Sequence, residues 1–454
     1  MIVLKFGGTS VADAAAIDRA AEIVRGRLTR RPVVVVSALA GATNALLAMA
    51  EQATRGQLLV ALRGVQALRD RHLNEADALL GDTAEGSEAV AEMGATFDEL
   101  AHLLEALSIL GHATPRSLDA IASVGEQLST HLVVAAFCGR GVPAQLVDAR
   151  EVMITDDNYT RAEPLTEQIA AAARERILPV LRDRRVPVIA GFIGATEGGV
   201  TTTIGRNGSD YSASLFGAAM RAQAIEIWTD VDGMLTADPR VVEGARLIPE
   251  IRFDEAAELA SFGAKLHPNT IAPAVRLGIP VFVLNSRRPE GKGTRITFDA
   301  PRRPVSAVVS KRGTTMVKIN SPRMLFASGF LHTVFEIFAR HRTSVDVVAT
   351  SEVSISVTVD DPARLDELMV DLRRAGDVSI ERNRGVVAVV GAGLNESGAS
   401  MSRALASLEG CHLHMLSLSA TGINLTLVVD DDDVTPLVRR LHAAFFGGAD
   451  EGAA

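Results

Sequence analysis

The sequence predicts an α/β protein in two parts: a mostly parallel central sheet with helices on both faces, followed by two ferredoxin-like βαββαβ units. Short runs rich in Val and Ile alternate with helical patterns over about the first three hundred residues, as in strands that are buried on both faces. After Pro301–Pro304 the order of elements changes and then repeats, so that Met316–Ile319 corresponds to Val386–Val389. A repeat of this length with one element order indicates a duplicated unit rather than a solenoid.

In the first part, strands and helices alternate along the chain. The expected helix Val11–Leu28 has apolar residues at helical spacing, and the stretch Gln57–Leu110, rich in Ala, Leu and Glu, is typical of helical hairpins. The other expected elements are the strands Ile2–Phe6, Val33–Ser37, Ala144–Val147, Val186–Phe192, Ala224–Trp228 and Val281–Leu284, and the helices Thr43–Ala53, Pro164–Leu181, Ser209–Met220 and Asp254–Phe262.

The second part is expected to hold two small domains in tandem. Two prolines among four residues at its start resist helix and interior strand, and the tail Gly447–Ala454 is expected to fray. The first pass reads Thr315–Ile319, Gly329–His341, Ser344–Thr350, Ser354–Val359, Ala363–Arg374 and Val378–Glu381; the second reads Val386–Val390, Ala399–Leu408, His414–Ser419, Asn424–Val429 and Val434–Phe445.

Composition excludes several classes of function. The formal net charge is −9, the chain has no long Lys/Arg run, and aromatic residues make up 4%, so a nucleic acid is a poor partner. Cys138 and Cys411 are expected to be reduced thiols. The N-terminus lacks the features of a signal peptide, and the longest apolar runs are far shorter than a membrane span. We therefore expect a cytoplasmic protein without a membrane partner.

A glycine-rich loop follows the first expected strand. In Lys5-Phe6-Gly7-Gly8-Thr9-Ser10, two glycines let the backbone approach a ligand, and the helix that follows offers unpaired N–H groups to an anion. Lys5 adds a positive charge at the strand end, where open α/β sheets bind ligands. The alternative is a glycine turn with a solvated lysine. The chain contains no G-x-x-x-x-G-K-[ST] motif, which disfavours a P-loop nucleotidase.

A second loop, Thr202–Asp210, also leads into an expected helix. Ser209 and Asp210 are good N-cap residues, and Arg206 offers two parallel donors to a carboxylate; a capped turn with a surface arginine is the equal alternative. Asp230, after the strand that ends at Trp228, is positioned to face a nucleotide or its magnesium. The spaced oxygen ligands of an EF-hand are absent there. Glu126 is expected at a helix start. By themselves, Asp238–Arg240 and Phe262–Lys265 are mostly turns and salt bridges.

Taken together, these segments resemble the ordered signature blocks of the aspartate kinases, within the amino acid kinase fold. The C-terminal region resembles the paired ACT regulatory domains of that family, in particular those of its lysine-inhibited monofunctional members. The blocks are Lys5–Val11, Ser37–Thr43, Gly125-Glu126, Gly205–Asp210, Trp228–Gly233, Asp238–Arg240 and Phe262–Lys265 in the first part, and Met324-Leu325, Ser328–Leu331, Ser344–Asp346 and Thr350–Ser354 in the second.

The resemblance implies a domain division and an activity. The amino acid kinase domain would cover 1–300, a linker 301–312, the first ACT domain 313–383, the second 384–447, and a disordered tail 448–454. The reaction would transfer a phosphoryl group from ATP, with Mg²⁺, to the side-chain carboxylate of L-aspartate, the first step toward lysine, threonine and methionine. Aspartate's carboxylate is already ionised near pH 7, so positioning and charge neutralisation are needed more than a strong base.

It also implies roles for individual residues. Glu126 would bind the ammonium group of aspartate and Arg206 its α-carboxylate, while Lys5, Gly7 and Gly8 would hold the transferring phosphate. No protein residue is assigned as a metal ligand. The full sets are Lys5, Arg206, Asp230 and Lys265 for catalysis; Thr43, Glu126, Phe192, Arg206, Asn207, Gly208, Ser209 and Asp210 for aspartate; and Lys5, Phe6, Gly7, Gly8, Ser37, Thr229, Asp230, Arg240 and Lys265 for ATP.

Lysine is the effector that the resemblance implies, with threonine as the alternative. Asp346 or Glu352 suits an ammonium group, although part of the set can be plain core. Family members commonly pair their ACT units, so a homodimer or homotetramer is expected. Leu235 stands where many relatives have Tyr, Ala327 where the lysine-sensitive pattern has Ser, and the segment after Lys265 is one residue shorter. The effector set is Met324, Phe330, Leu331, Val345, Asp346, Ser351 and Glu352.

Two other functions are compatible with parts of the sequence. One is a kinase of the same fold that acts on glutamate, acetylglutamate or a carbamate, but the Lys-Phe-Gly-Gly-Thr-Ser-Val block and the two sensor repeats argue against it. A non-catalytic amino-acid sensor would need only the repeats. The retained Lys5, Glu126, Arg206, Asp230 and Lys265 argue against loss of activity.

Overall fold

The computed structural model describes residues 1–81, 83–205, 207–263, 268–325, 327–362, 364–396 and 398–447, which form two compact units. The first unit comprises Met1–Met234 and the segment that ends at Phe298; the second comprises the segment that begins at Leu235 and the chain from Asp299 onward. The predicted domain boundaries thus divide the chain differently, because the segment after Met234 belongs to the second unit.

The elements of the first unit follow the predicted alternation. In chain order they are β1 Ile2–Phe6, α1 Ala14–Arg25, β2 Pro32–Val36, α2 Ala42–Thr54, α3 Leu58–Leu80, α4 Ala84–Leu110, α5 Pro115–Gly139, β3 Ala144–Val147, β4 Ile154–Thr155, α6 Thr166–Arg182, β5 Val186–Ala190, β6 Ile193–Thr196, β7 Thr201–Thr203, α7 Gly208–Ala219 and β8 Ile225–Thr229; then, after β9 Glu250–Ile251 and α8 Phe253–Ser261 of the second unit, α9 Pro268–Arg276, β10 Val281–Asn285 and β11 Thr294–Ile296.

The large sheet of this unit runs in the order β3-β5-β2-β1-β8-β10-β11. Every neighbouring pair from β3 to β10 in this sheet order is parallel, and β11 runs antiparallel to β10. All five residues of β1, β2 and β5 are buried, which explains why these strands are apolar apart from Lys5 of β1. The predicted mostly parallel sheet is confirmed. A small sheet, β4-β6-β7, was not predicted, since its strands are only two to four residues long.

Helix α5 corrects one expectation: Glu126 lies in the middle of a helix, not at its start. Thr114 caps the helix and Pro115 occupies its first turn, both typical of a helix N-terminus. Gly125 is required there because a Cβ atom would lie 2.9 Å from Cβ of Ala38. Among the described residues α5 is the one helix long and apolar enough to cross a membrane, but 78% of its apolar window is buried inside the protein.

The second unit contains both repeats. Its remaining elements are β12 Ala307–Asn320, α10 Phe330–Arg340, β13 Val348–Thr350, β14 Ser354–Val359, α11 Leu365–Leu372, β15 Asp377–Val390, α12 Gly398–Ala406, β16 Leu413–Leu418, β17 Asn424–Asp430 and α13 Val434–Phe446. One apolar core lies under α10 and α11, and another under α12 and α13.

The repeats share one six-stranded sheet, in the order β13-β14-β12-β15-β17-β16. Strand β12 pairs with β15 near both of its ends, with an irregular register between Lys311 and Met316: Ala307–Lys311 face Val390–Val386, and Met316–Asn320 face Glu381–Asp377. Ala307–Lys311 therefore supply the fourth strand that the second pass lacked in the sequence. This strand begins inside the segment expected as a linker, and Val378–Glu381 and Val386–Val390, expected as separate strands, are halves of β15.

Candidate active site

The end of β1 carries a buried ion pair. Lys5 is 7% exposed, and its Nζ lies 2.6 Å from Oδ1 of Asp210 in the first turn of α7. The loop after β1 lies close against neighbouring backbone: the N–H of Gly7 donates to the carbonyl oxygen of Trp228 at 3.1 Å, and a Cβ on Gly8 would lie 3.0 Å from the carbonyl oxygen of Ala38. The glycines thus let the loop pack at the carboxyl ends of three parallel strands.

A hydrogen bond joins the residue that follows β2 to the first turn of α7. The hydroxyl of Ser37 donates to that of Ser209 at 2.8 Å, and the hydroxyl of Ser129 on α5 donates to the carbonyl oxygen of Ser37 at 2.8 Å. Predicted ATP-binding and aspartate-binding residues therefore meet at one edge of the sheet, where parallel α/β folds place their ligands.

Beside these residues lies a cavity of about 550 Å³. Of the residues predicted to bind aspartate, all the described ones except Asp210 line it; Arg206 lies outside the described residues. Its volume suits a small amino acid with room for part of a second ligand. The lining consists of Thr43, Asn44, Leu47, Leu118, Asp119, Ala122, Glu126, Thr160, Phe192, Thr203, Gly205, Asn207, Gly208 and Ser209.

Glu126 is the most perturbed acid of this cavity. The residue is 4% exposed, and its Oε2 atom is buried without a hydrogen-bond partner among the described residues. Burial raises the pKa of Glu126 to about 8, against a smaller opposing effect of the Ala38 backbone. A carboxylate in this position gains most from a ligand that brings a positive charge.

Asp119 is a site residue that the sequence analysis missed. Its carboxylate accepts hydrogen bonds from the N–H of Thr160 at 2.9 Å, and from the N–H and hydroxyl of Thr203 at 3.0 and 2.6 Å. Burial raises the pKa of Asp119, although these hydrogen bonds oppose the rise. Asp119 thus ties the loop at Thr160 and the end of β7 to α5. A buried Asp in an apolar helical stretch is the only sequence signal.

Three non-glycine residues of the cavity have left-handed backbones: Thr160 with φ 70°, Phe192 with φ 67° and Asn207 with φ 56°. Such conformations are costly for Thr and Phe and cluster at functional sites. Gly208 is needed beside them, since a Cβ there would lie 2.7 Å from Cδ2 of Phe192.

The residues predicted to bind the nucleotide do not all lie in the same unit. The hydroxyl of Thr229, at the end of β8, donates to Oδ1 of Asp230 at 3.2 Å, so both lie at the same sheet edge as Lys5. Arg240 belongs to the second unit, where it pairs with Asp238 at 2.7 Å. Lys265 lies outside the described residues, so the structure does not test its predicted role.

The predicted effector residues all lie in the second unit. Met324, Phe330 and Val345 pack against the core of the first repeat, which agrees with the view that part of this set is core. Leu331 is 42% exposed, Glu352 is exposed, and the hydroxyl of Ser351 lies 2.6 Å from that of Ser354.

Asp346 is engaged by a lysine of the chain itself. Nζ of Lys311 lies 3.5 Å from Asp346 and 2.8 Å from Asp360. Burial, together with the neighbouring Asp360 carboxyl, raises the pKa of Asp346. Lys311, Val345 and Asp346 line a cavity of about 340 Å³, whose other walls include Glu258, Phe262, Ser417, Ser419, Asn424 and Thr426.

Known proteins resemble this chain in sequence and in fold. A sequence profile of the amino acid kinase family matches residues 1–285. The chain is 38% identical to the lysine-sensitive aspartokinase 3 of Escherichia coli, over 98% of this chain and 99% of that one, and 36% identical to the chloroplastic aspartokinase 3 of Arabidopsis thaliana, over 98% and 81%. The crystal structure of E. coli aspartokinase III with aspartate and ADP superposes with a TM-score of 0.85 at 37% identity, covering 98% of this chain and 100% of that one. A second structure of that enzyme, with lysine and aspartate, has a TM-score of 0.84.

The family profile over residues 1–285, on a mostly parallel sheet that carries Lys5 at a strand end, places the chain among the amino acid kinases. The full-length matches narrow this further: the chain belongs to the aspartokinases. The predicted fold and enzyme class are confirmed, and glutamate kinases and non-catalytic sensors are not favoured.

Proposed function

We propose that the cavity beside Lys5 binds L-aspartate, with Glu126 on its ammonium group. The observation that carries this assignment is the buried Oε2 of Glu126, which has no partner among the described residues yet lines a cavity of amino-acid size. A ligand ammonium satisfies this atom and favours its ionised form. Thr43, Phe192, Asn207, Gly208 and Ser209 line the same cavity and enclose the substrate, and Arg206 receives the α-carboxylate.

ATP is proposed to lie along the carboxyl ends of β1, β2 and β8. Gly7 and Gly8 bring the backbone close to the phosphates, Phe6, Ser37, Thr229 and Asp230 border the nucleotide, and Lys265 adds a cation contact. Mg²⁺ binds mainly through phosphate oxygens, water and one or two carboxylates. The carboxylate of Asp230 at this edge suits that donor set. When bound, the ion neutralises charge on the phosphates.

The chemistry then needs positioning more than proton transfer. The ionised β-carboxylate of aspartate attacks the γ-phosphorus of ATP; the new O–P bond forms as the bond to the β,γ-bridging oxygen breaks, giving 4-phospho-L-aspartate and ADP. Lys5 stabilises the transferring phosphoryl group, and Asp210 holds the Lys5 ammonium in place at 2.6 Å.

Regulation is proposed to reside in the second unit, with lysine as effector. The E. coli relative at 38% identity is named lysine-sensitive, and one solved structure of that enzyme holds lysine and aspartate. Exposed Leu331 and Glu352 and the carboxylate of Asp346 suit an amino acid with a side-chain ammonium. A cytoplasmic homodimer or homotetramer formed through this unit, without nucleic-acid or membrane partners, completes the proposal.

The assignment is tested by measuring ADP release with aspartate, glutamate and N-acetylglutamate, and by trapping the acyl phosphate with hydroxylamine. We expect aspartyl hydroxamate only when ATP and Mg²⁺ are both present. Glu126→Gln should raise the KM for aspartate about 10- to 100-fold, the loss of one charged hydrogen bond. Glu105→Gln, on an exposed position of α4, is the matched control. An unchanged KM in Glu126→Gln would overturn the binding role.

A further inference from the structure

Two histidines and an aspartate converge at the edge of the second unit's sheet. His412 precedes β16, His414 lies on it, and Asp430 ends the neighbouring β17. One potential ligand atom from each lies within 4.8 Å of the others, and the two imidazole rings are 4.3 Å apart between centroids. Neither the proposed active site nor the proposed effector set includes these residues.

A bulge in β16 directs these side chains. Leu413 pairs with Val429 and Met415 with Val428, so His414 is the extra residue between two successive pairs. Leu413 packs against the core under α12 and α13, whereas Met415 packs on the opposite side with Val428. Bulges re-aim side chains at the edges of sheets and near sites. Here the bulge sets the ring of His414 beside that of His412.

Glu381 orients one of the imidazoles. Nδ1 of His414 lies 3.2 Å from Oε2 of Glu381 on β15, and Nε2 lies 3.0 Å from Oδ1 of Asp430. The side chain of His414 is 5% exposed. Histidines that bind a metal through one ring nitrogen commonly form a hydrogen bond to a carboxylate through the other. His414 has a carboxylate beside each of its ring nitrogens, with Glu381 in the position of that supporting group.

Two cations balance the carboxylates of this cluster. Nη1 of Arg384 lies 2.6 Å from Oδ1 of Asp430 and its Nε 3.3 Å from Glu381, and Lys318 pairs with Glu381 at 2.7 Å. Oδ2 of Asp430 accepts no hydrogen bond from the described residues, so it can serve as a ligand while Oδ1 stays on Arg384.

The first repeat has different chemistry at the corresponding places. Lys311 corresponds to Glu381, Asp360 to Asp430 and Ser344 to His414 at the repeat spacing. Lys311 and Asp360 form a direct ion pair of 2.8 Å with each other. The histidine pair is therefore a feature of the second repeat alone and is not required by the fold.

We propose that His412, His414 and Asp430 form a binding site for a borderline divalent metal ion of the Zn²⁺ type. Two imidazoles and one carboxylate, with a water molecule as fourth ligand, are a common ligand set for Zn²⁺. Nε2 of His414 serves as the ligand atom, because Nδ1 lies beside Glu381. The ion joins the edge strand β16 to the end of β17, with Glu381 of β15 behind it, and thereby stabilises the sensor sheet.

Calorimetric titration of the full-length, tag-free protein with ZnCl₂ at pH 7.5 is the primary test. One ion should bind per chain and raise the unfolding temperature, and a tenfold excess of MgCl₂ should not displace it. Co²⁺ should give the intense visible absorption of a four-coordinate site. Substituting the exposed His412 by Asn should abolish binding, and Glu381→Gln should weaken it about 10- to 100-fold.

His112→Asn, on an exposed position in the first unit, is the control and should bind Zn²⁺ normally. Unfolding curves without metal show whether each variant is folded. The proposal is overturned if the unaltered protein binds no stoichiometric Zn²⁺, or if folded His412→Asn binds it as tightly as the control. Neither readout depends on kinase activity, so the outcome is independent of the proposed function.

Discussion

At the scale of single residues, the site is organised by carboxylates that the fold has removed from water. Glu126 has a pKa raised to about 8 by burial, so near pH 7 it is mostly protonated in the ligand-free protein. Binding of an ammonium group requires the ionised form. In the proposed binding mode, the affinity for aspartate is therefore coupled to a proton that leaves Glu126.

This coupling predicts a pH profile. The KM for aspartate should fall as pH rises from 6 toward about 8, where Glu126 ionises before the ligand binds. Glu126→Gln should have a higher KM that is nearly constant over this range. Initial rates at saturating ATP, from pH 6 to 9, measure both. A parallel pH dependence in the variant would assign the effect to another group.

Lys5 and Asp210 form a pair with unequal roles. Lys5→Met should lower kcat about 10²- to 10³-fold, as expected for the loss of a group that stabilises transition-state charge. Asp210→Asn should lower kcat less, because the lysine remains but loses the carboxylate 2.6 Å away that orients it. Single-turnover rates and circular dichroism of both variants test this. Equal losses would show that Asp210 has a direct part in catalysis.

Asp119 acts through the backbone segments that it holds. Asp119→Asn keeps the size of the side chain but offers a single acceptor oxygen for three donors. We expect the KM for aspartate to rise several-fold while the KM for ATP changes little, since Thr160 and Thr203 border the substrate cavity. Steady-state kinetics with each substrate varied will decide. A larger effect on ATP than on aspartate would contradict this role.

At the scale of elements, helix α5 combines core packing with the site. Gly125→Ala should destabilise the protein by about 1–3 kcal/mol, because the new Cβ meets Ala38 Cβ at 2.9 Å and Leu46 Cδ1 at 3.3 Å. Gly94→Ala on α4 is the matched control. Its nearest neighbour is a flexible Arg69 atom at 3.6 Å, so it should stabilise by about 0.5–1 kcal/mol. Urea unfolding of both variants gives the difference; equal effects would refute the packing argument.

Elements with strong local patterns could be predicted from the sequence. The buried strand Ile2–Phe6 was predicted with its observed bounds, because four apolar residues around Lys5, followed by a glycine pair, admit few alternatives. The core helix Pro115–Gly139 was missed, and Glu126 was placed at a helix start, because the buried carboxyls and Gly125 interrupt the apolar pattern that marks such a helix. These polar residues and the glycine therefore hid the helix from the apolar pattern.

Residues of the candidate site could be predicted from the sequence only where they form a local motif. Lys5, Gly7 and Gly8 form a readable loop, and so does Asn207–Asp210. The cavity also depends on Asp119 and Thr160, which contribute through long-range hydrogen bonds. A contact between residues 41 or 84 positions apart leaves no local trace. The shared sensor sheet was missed for the same reason, since Ala307–Lys311 find their partners in Val386–Val390.

At the scale of the whole molecule, regulation is the main expectation. Millimolar lysine should lower aspartate-dependent ADP release, and threonine should not. Glu352→Gln should weaken lysine inhibition at least several-fold with basal turnover unchanged, whereas Glu336→Gln, an exposed position on α10, should behave like the unaltered protein. Suppression by threonine alone would refute lysine as effector.

The interlocked strands β12 and β15 have a consequence for truncated forms of this chain. Each is a continuous strand that belongs to both repeats. The boundary between the repeats in the sequence is therefore not a boundary between two independent structures. A chain that ends just before Val386 would also lack the hydrogen-bonding partners of Ala307–Lys311. The unpaired strand would expose a sheet edge that is prone to aggregation. Loss of the last 69 residues thus also disturbs Ala307–Lys311, which the truncation leaves in place.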